Sequence, residues 1–313
     1  MTYQSIIIQN FFRSGGSYLY NQFIDYKDVM GFYEPFHDVF TSEENFIKEE
    51  KEFFLKTKNL KHFSNEFYFK NYPTNLKWFK DFHKVYSPIK LFDTDIKNKV
   101  EFIKYLERLK SFANDKNFLP VFKINRMYLN PDTINLSNSF KIFIFRNPIS
   151  SFFSNIGLNL LIPYYELIEL YANKGIEFFI EIQKFIVSQK LEKIKIQDGK
   201  IRFLDRNQMV SHFSVFFLIW FYGLDQNLKK KFFIIDYDKL QIEKYQKIIQ
   251  SSLYENLNLH INFQSFEKKT SKLYEMQINL NKEIKYIFNK FFDQNILKIY
   301  SEDYKIEYLN NYL

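Results

Sequence analysis

The sequence predicts an α/β protein whose core is a parallel β-sheet flanked by helices. Short apolar segments rich in β-branched and aromatic residues recur along the chain, and segments with helical spacing of apolar residues separate them. Continuously apolar strands are typical of parallel sheets, because both faces of such a sheet are buried. Polar residues and glycines directly follow several of these strands, as expected of ligand-binding loops at the carboxyl edge of a sheet.

The first part of the chain opens as a strand, a glycine-containing loop and a helix. The strand is predicted at Ser5–Gln9, and helical spacing resumes at Ser17–Tyr26. A second strand is predicted at Val29–Tyr33. Residues 42–114 have mostly helical spacing and carry no chemical motif, so we interpret them as a helical insert.

The second part of the chain continues the alternation, and we expect all 313 residues to form a single domain. The centre of Ile194–Leu204 is Asp198-Gly199, which predicts a β-hairpin. Asn147 suits the N-cap of a helix and Pro148 suits its first position. The remaining predicted elements are strands at Leu119–Ile124, Phe140–Phe145 and Phe232–Tyr237, and helices at Ile149–Leu161, Glu166–Lys190, His212–Lys229 and 279–298.

The composition excludes several classes of protein. A hydrophobic content of 46% excludes an intrinsically disordered chain, and the absence of Cys excludes disulfide scaffolds, cysteine zinc sites and thiol nucleophiles. No spacing of His and acidic residues indicates a metal site. The net charge of +8 favours an anionic partner. Only 6 of the 44 basic residues are Arg and only 7 residues are Gly, so these scarce residues are the first candidates for function.

Targeting features are also lacking in the sequence. The first residues have neither the basic region nor the cleavage site of a signal peptide. The longest apolar run, Phe213–Gly223, is shorter than the ~20 residues that span a bilayer. We therefore expect a cytoplasmic protein without a transmembrane segment, for which peripheral membrane contact stays open. Nucleic acid is not an expected partner, because most aromatic residues fall in apolar runs typical of a core.

The first candidate site is the loop from Arg13 to Tyr18, with the sequence RSGGSY. Two adjacent glycines between a strand and a helix let the backbone fold around a phosphate, which then faces the amino end of the helix. Arg13 adds a fixed positive charge and Ser17 a hydroxyl donor. The loop lacks the Lys of a Walker A motif, which argues against ATP or GTP hydrolysis. A plain tight turn is the alternative interpretation.

The second candidate site begins at Arg146, which directly follows the hydrophobic strand predicted at Phe140–Phe145. Ser154 lies about two turns into the following helix, some ~12 Å along its axis. An Arg and a Ser on either side of a strand–helix junction can hold a phosphate from two sides. A surface charge and a serine on a helix face are the alternative.

Taken together, the two motifs resemble those of sulfotransferases that use 3′-phosphoadenosine 5′-phosphosulfate (PAPS). Their 5′-phosphosulfate loop is a basic residue, Ser-Gly, two small hydroxylated residues and an aromatic or apolar residue. Their 3′-phosphate motif is Arg, an acidic residue or Asn, Pro, and a Ser eight residues after the Arg, as at Arg146 to Ser154. Arg13, where the small-phenol branch has Lys, is more similar to the carbohydrate and tyrosyl-protein branches, and the carbohydrate branch is taken as the nearest. Gly16 departs from the pattern, because a hydroxylated residue is expected there.

The resemblance implies a sulfotransferase fold, which is a P-loop-like parallel sheet, and PAPS as the sulfuryl donor without a metal. It implies that Arg146 and Ser154 bind the 3′-phosphate and that Tyr237, in a Tyr-Asp-x-Leu segment, contacts the adenosine. Arg13 would also stabilise the charge of the transferred group. The residues implied to bind the 5′-phosphosulfate are Arg13, Ser14, Gly15, Gly16, Ser17 and Tyr18.

A Glu-Pro segment after the second predicted strand is similar to one found in many carbohydrate sulfotransferases. An acceptor hydroxyl needs a general base within hydrogen-bond reach, and Glu34 is the first candidate and His37 the second. A turn cap or an ion pair is the alternative role for Glu34. Lys123 and Arg126 follow another strand and are candidates to bind the substrate or the sulfate. The expected acceptor is a hydroxyl of a carbohydrate or glycolipid, and a protein tyrosine or a small molecule stays open as the alternative.

Two other functions stay open on the sequence. One is a nucleotide-dependent kinase of related P-loop architecture, against which the missing Walker lysine counts. The other is a non-enzymatic basic protein that binds anionic glycans or a membrane surface, and its binding would depend strongly on salt.

Overall fold

The computed structural model describes residues 3–11, 14–57, 67–86, 99–125, 129–156, 161–191, 195–197, 200–203, 206–261, 263 and 282–292. The chain divides into two compact units. The first unit comprises residues 1–145 and 226–268, and the second comprises residues 146–225 and 269–313.

A five-stranded, all-parallel sheet forms the centre of the first unit, with its strands in the order Val29–Tyr33, Leu119–Ile124, Ser5–Asn10, Ser139–Phe145 and Phe233–Asp236. The predicted α/β class and the five predicted strands are confirmed. The strands of the chain are β1 (Ser5–Asn10), β2 (Val29–Tyr33), β3 (Leu119–Ile124), β4 (Ser139–Phe145), β5 (Lys195–Gln197), β6 (Lys200–Arg202) and β7 (Phe233–Asp236).

The central strand β1 is fully buried, because α/β packing covers both of its faces. In the register of the sheet, Asn10 of β1 lies beside Ile144 of β4, and Tyr33 of β2 lies beside Lys123 of β3. The carboxyl ends of the strands therefore align along one edge. After β1 the chain goes to β2 at one side of the sheet, and after β4 it goes to β7 at the other. Neighbouring strands β1 and β4 thus form a topological switch point, where open α/β sheets bind ligands.

Helices cover the sheet of the first unit. They are α1 (Gly16–Ile24), α2 (Glu43–Thr57), α3 (Lys77–Tyr86), α4 (Lys99–Asn114) and α9 (Glu243–Leu257). The described part of 42–114 contains α2, α3 and α4, and α4 packs against β3. Side chains between α2 and α3 cover the edge strand β2, since Asn71 Nδ2 donates to Gly31 O over 3.0 Å and Tyr72 Oη donates to Tyr33 O over 2.9 Å. An edge strand covered in this way cannot pair with another chain.

The second unit is mostly helical. Its helices are α5 (Pro148–Ile156), α6 (Ile162–Asn173), α7 (Glu177–Ser188), α8 (Arg206–Lys229, whose last residues belong to the first unit) and α10 (Lys282–Phe291). The predicted hairpin is confirmed by the antiparallel pair β5 and β6. The prediction of one helix over Glu166–Lys190 was wrong. Two helices, α6 and α7, form instead of one, and Gly175 lies between them with φ of 79°. A glycine in this left-handed conformation commonly ends a helix.

The apolar run of α8 is buried, as predicted. Phe217 and Phe221 contact Phe288 of α10, with ring centroids 5.7 and 4.8 Å apart. Among the described helices, none has both the length and the apolar character needed to cross a membrane.

Candidate functional site

The first predicted phosphate loop connects β1 to α1. Arg13 lies outside the described residues, and the described part begins at Ser14, whose N–H donates to Phe11 O over 3.1 Å. Gly15 has φ of 90° and is the N-cap of α1, where no described side chain caps the helix. The first helical hydrogen bond, from Leu19 N to Gly15 O, is 3.1 Å long. The N–H groups of Gly16 and Ser17, at the start of the first turn, have no acceptor within the helix and are candidate donors to an anion.

Both glycines of the loop are required by close packing. A Cβ atom on Gly15 would overlap the ring of Tyr237, and one on Gly16 would overlap the side-chain amide of Asn10. Gly16 is the position at which the chain departs from the sulfotransferase pattern. The structure gives a physical reason for the departure, because Asn10 occupies the space that a serine side chain would need.

Tyr18 and Tyr237 lie together beside this loop. Their rings meet edge to face with centroids 6.0 Å apart, and Tyr18 Oη donates to Phe263 O over 3.4 Å. Tyr237 N donates to Phe145 O over 2.8 Å, which holds Tyr237 at the carboxyl edge of the sheet. Burial, and secondarily the neighbouring Tyr237, raises the pKa of Tyr18, so its hydroxyl remains a hydrogen-bond donor.

Several buried polar atoms at the carboxyl ends of β1, β2 and β3 have no hydrogen-bond partner among the described residues. They are Gln9 Oε1 and Nε2, Asn10 Oδ1, Ser14 Oγ, Glu34 Oε2 and Asn125 Oδ1, and other such atoms lie elsewhere in the described ranges, among them Ser150 Oγ and Ser151 Oγ of α5. An unpaired buried polar group costs about 1–3 kcal/mol, so proteins keep such groups where a ligand or water satisfies them. This edge of the sheet is therefore the candidate functional site.

Glu34 forms a buried ion pair with Lys123 at the ends of β2 and β3. Its Oε1 accepts from Lys123 Nζ over 3.0 Å and from Asn125 N over 3.0 Å, and the side chain of Lys123 is 1% exposed. The second oxygen, Oε2, has no partner among the described residues. One oxygen of Glu34 thus takes part in the buried network, and the other is open to accept a hydrogen bond.

Tyr33 contacts both Lys123 and Ser17, and Ser17 belongs to the first turn of α1. Lys123 Nζ lies 4.1 Å from the centroid of the Tyr33 ring, and Tyr33 Oη lies 3.0 Å from Ser17 Oγ. Burial lowers the pKa of Lys123, but Tyr33 and Glu34 outweigh that effect and raise it above its ordinary value. The ammonium is therefore charged and compensates the buried carboxylate. Ser17, Glu34 and Lys123, three predicted site residues, belong to one hydrogen-bonded network.

His37 has a structural contact that the sequence did not predict. Its Nδ1 accepts from Val39 N over 3.1 Å and caps the 3₁₀ helix Asp38–Thr41. A neutral imidazole that accepts at Nδ1 carries its proton on Nε2, where it is a donor and not a base. The geometry therefore favours Glu34 over His37 as the base. Arg126 lies outside the described residues.

The second predicted motif lies in the second unit, immediately after β4. Arg146 O accepts from Trp220 Nε1 over 3.2 Å. Asn147 Oδ1 accepts from Ile149 N over 2.9 Å and Pro148 is the first residue of α5, which confirms the predicted helix start. Ser154 lies two turns into α5 and is half-buried.

Sequence reasoning did not single out Tyr33, Asn10 or Asn125 as site residues. A usable signal was present for Asn10. Gln9 and Asn10 are consecutive polar residues at the end of an otherwise apolar buried strand, where uncompensated amides are costly.

Comparisons of this chain with protein-family models, with curated proteins and with solved structures found no match. The functional argument therefore depends on the residues of this chain.

Proposed function

We propose that this protein is a PAPS-dependent sulfotransferase that transfers a sulfuryl group to a hydroxyl of a carbohydrate or glycolipid. The loop between β1 and α1 is the observation that carries the proposal. It combines a glycine N-cap, a helix amino end that no described side chain caps, and the buried Ser14 Oγ, which has no partner among the described residues, at the switch point of a parallel sheet. These are the properties of an anion site of the P-loop kind.

The residues of the loop fit the 5′-phosphosulfate end of PAPS. Hydrogen-bond donors are supplied by the N–H groups of Gly16 and Ser17 and by the hydroxyl of Ser14. The guanidinium group of Arg13 can donate two hydrogen bonds to a tetrahedral anion. Tyr237, whose ring lies against Gly15, is proposed to contact the adenosine. Arg146 and Ser154 are proposed to bind the 3′-phosphate, which distinguishes PAPS from ATP.

The donor supplies an electron-poor sulfur, and adenosine 3′,5′-bisphosphate leaves as the bond to its 5′-phosphate oxygen breaks. Glu34 Oε2 takes the proton of the acceptor hydroxyl while the hydroxyl oxygen bonds to sulfur. The helix N–H groups and Arg13 stabilise the charge that grows on the leaving oxygen, as in phosphoryl transfer. Lys123 keeps its hydrogen bond to Oε1 and fixes the direction of Oε2.

Isothermal titration with adenosine 3′,5′-bisphosphate and with ATP tests the proposal. We expect saturable binding of the bisphosphate and much weaker binding of ATP, because only the bisphosphate carries a 3′-phosphate. Tighter binding of ATP would favour the kinase. Salt-sensitive binding of sulfated glycans with no saturable nucleotide binding would favour the non-enzymatic alternative.

A further inference from the structure

The backbone at Glu34 is strained. Its φ of 47° lies in the left-handed region that residues other than glycine rarely adopt, and the residue is 5% exposed. A conformation of this kind persists only where the surrounding contacts determine it, and it is frequent at functional sites. Glu34 O accepts from His37 N over 2.9 Å, which closes the turn that follows β2.

Two buried tyrosines bind the backbone carbonyls of the residues on either side of Glu34. Tyr72 Oη donates to the carbonyl of Tyr33 over 2.9 Å, and Tyr105 Oη donates to the carbonyl of Pro35 over 3.2 Å. Tyr72 is 5% exposed and Tyr105 is 2% exposed. Both tyrosines come from residues 42–114, the part of the sequence that carries no chemical motif of its own.

The hydroxyl of Tyr105 has a fixed direction. His83 Nε2 lies 2.9 Å from Tyr105 Oη, and the ring of Phe82 stacks on that of Tyr105 with centroids 3.9 Å apart. Burial lowers the pKa of His83 to about 3, so its imidazole is neutral. Because Tyr105 gives its one proton to Pro35 O, His83 donates from Nε2.

We propose that Tyr72 and Tyr105 are positioning residues, which clamp the turn around Glu34 and hold its Oε2 in place for proton transfer. The clamp follows from the geometry alone, whereas its effect on a reaction rests on the proposed function. Positioning of this kind is demanding, because a misplacement of about 1 Å can reduce a rate about 100-fold. The helical insert thereby gains a role in the site.

The double variant Tyr72→Phe/Tyr105→Phe tests the proposal. It removes two hydroxyl groups and keeps both rings. We expect kcat for sulfuryl transfer to fall about tenfold to 100-fold, while the Kd of adenosine 3′,5′-bisphosphate stays within about twofold. A crystal structure of the variant should show Glu34 outside the left-handed region. Tyr26→Phe is the matched control, because the Tyr26 hydroxyl also donates to a carbonyl, that of His260, and should leave kcat unchanged.

The outcomes separate the clamp from the proposed function. If Glu34 keeps its positive φ and its contacts with Lys123 and Asn125 in the variant, the clamp is overturned whatever the reaction is. If Glu34 moves and kcat is unchanged, its positioning role is overturned. If Glu34 moves but the wild-type protein transfers no sulfuryl group, the clamp is supported and the proposed function is overturned. Should the double variant fail to fold, Tyr105→Phe alone is measured by the same two readouts.

Discussion

At the scale of single residues, the carboxylate of Glu34 has a structural role on one oxygen and a proposed chemical role on the other. Its Oε1 is held by Lys123 Nζ and Asn125 N, whereas Oε2 has no partner among the described residues. Removing one member of a buried ion pair leaves the other charge uncompensated, which is costly. From the sequence alone, an ion pair and a general base were alternative roles for Glu34. The structure is compatible with both roles, because Oε1 forms the ion pair while Oε2 has no described partner.

Glu34→Gln separates these two roles. The amide keeps the size of the side chain and can keep one hydrogen-bond acceptor for Asn125 N, but it cannot take a proton. We expect kcat to fall by about 100-fold or more, while the Kd of adenosine 3′,5′-bisphosphate changes little. Titration and a transfer assay on the same preparation measure both quantities. Glu107→Gln, at a partly exposed position of α4, is the control. A parallel loss of binding and transfer would show that Glu34 is only structural.

At the scale of elements, the strands were predictable and the helix boundaries were less so. The strand predictions succeeded because continuous apolar runs bounded by polar residues are a strong local signal. The helix predicted over Glu166–Lys190 failed at Gly175, because the apolar spacing continues across the break between α6 and α7. The loop between β1 and α1 was predictable from its glycines, but the contact between Gly16 and Asn10 joins residues whose proximity no sequence pattern reveals.

The contact with Asn10 makes a specific prediction for the loop between β1 and α1. Gly16→Ser restores the hydroxylated residue of the sulfotransferase pattern, but its Cβ would overlap the Asn10 side chain. We expect a loss of about 1–3 kcal/mol in unfolding free energy, because overpacking of this size forces the buried side chain of Asn10 out of its position. Chemical denaturation of Gly16→Ser, with Asn10→Ala as the single control, measures the cost. The pair Asn10→Ala/Gly16→Ser should recover much of it, and no recovery would contradict the packing argument.

At the scale of the whole molecule, two buried histidines link stability to pH. Burial lowers the pKa of His83 to about 3 in the first unit and that of His212 to about 4 in the second. His83 contacts Tyr105, and His212 hydrogen-bonds Tyr165. Both imidazoles stay neutral in the folded protein at a pH where the unfolded chain, with an ordinary pKa near 6.5, takes up protons. Stability is therefore lost as the pH falls below about 6.5.

This linkage can be measured as the free energy of unfolding at about pH 7 and about pH 5. Each histidine should contribute a loss of about 2 kcal/mol between these conditions, since a pKa difference of one unit corresponds to about 1.4 kcal/mol. In His83→Gln and His212→Gln the loss should be smaller by that amount, because glutamine does not titrate. His260→Gln, at an exposed position, should behave as the wild type. Equal acid sensitivity in all four proteins would contradict the linkage.

The whole molecule also shows what limits prediction of the site. The loops after β1 and β4 were recognisable because scarce Arg and Gly residues mark them. The network of Ser17, Tyr33 and Lys123 was not, because it depends on the register that places β2 beside β3. The role proposed for 42–114 likewise depends on tertiary contacts of two tyrosines in an otherwise ordinary helical segment.

The most direct test of the central claim is a crystal structure of the protein with adenosine 3′,5′-bisphosphate. We predict that the 5′-phosphate lies at the amino end of α1, on the N–H groups of Gly16 and Ser17 and on Arg13. The 3′-phosphate is predicted to contact Arg146 and Ser154. A nucleotide that binds elsewhere, or a 3′-phosphate that touches neither Arg146 nor Ser154, would contradict the proposal that this chain is a PAPS-dependent sulfotransferase.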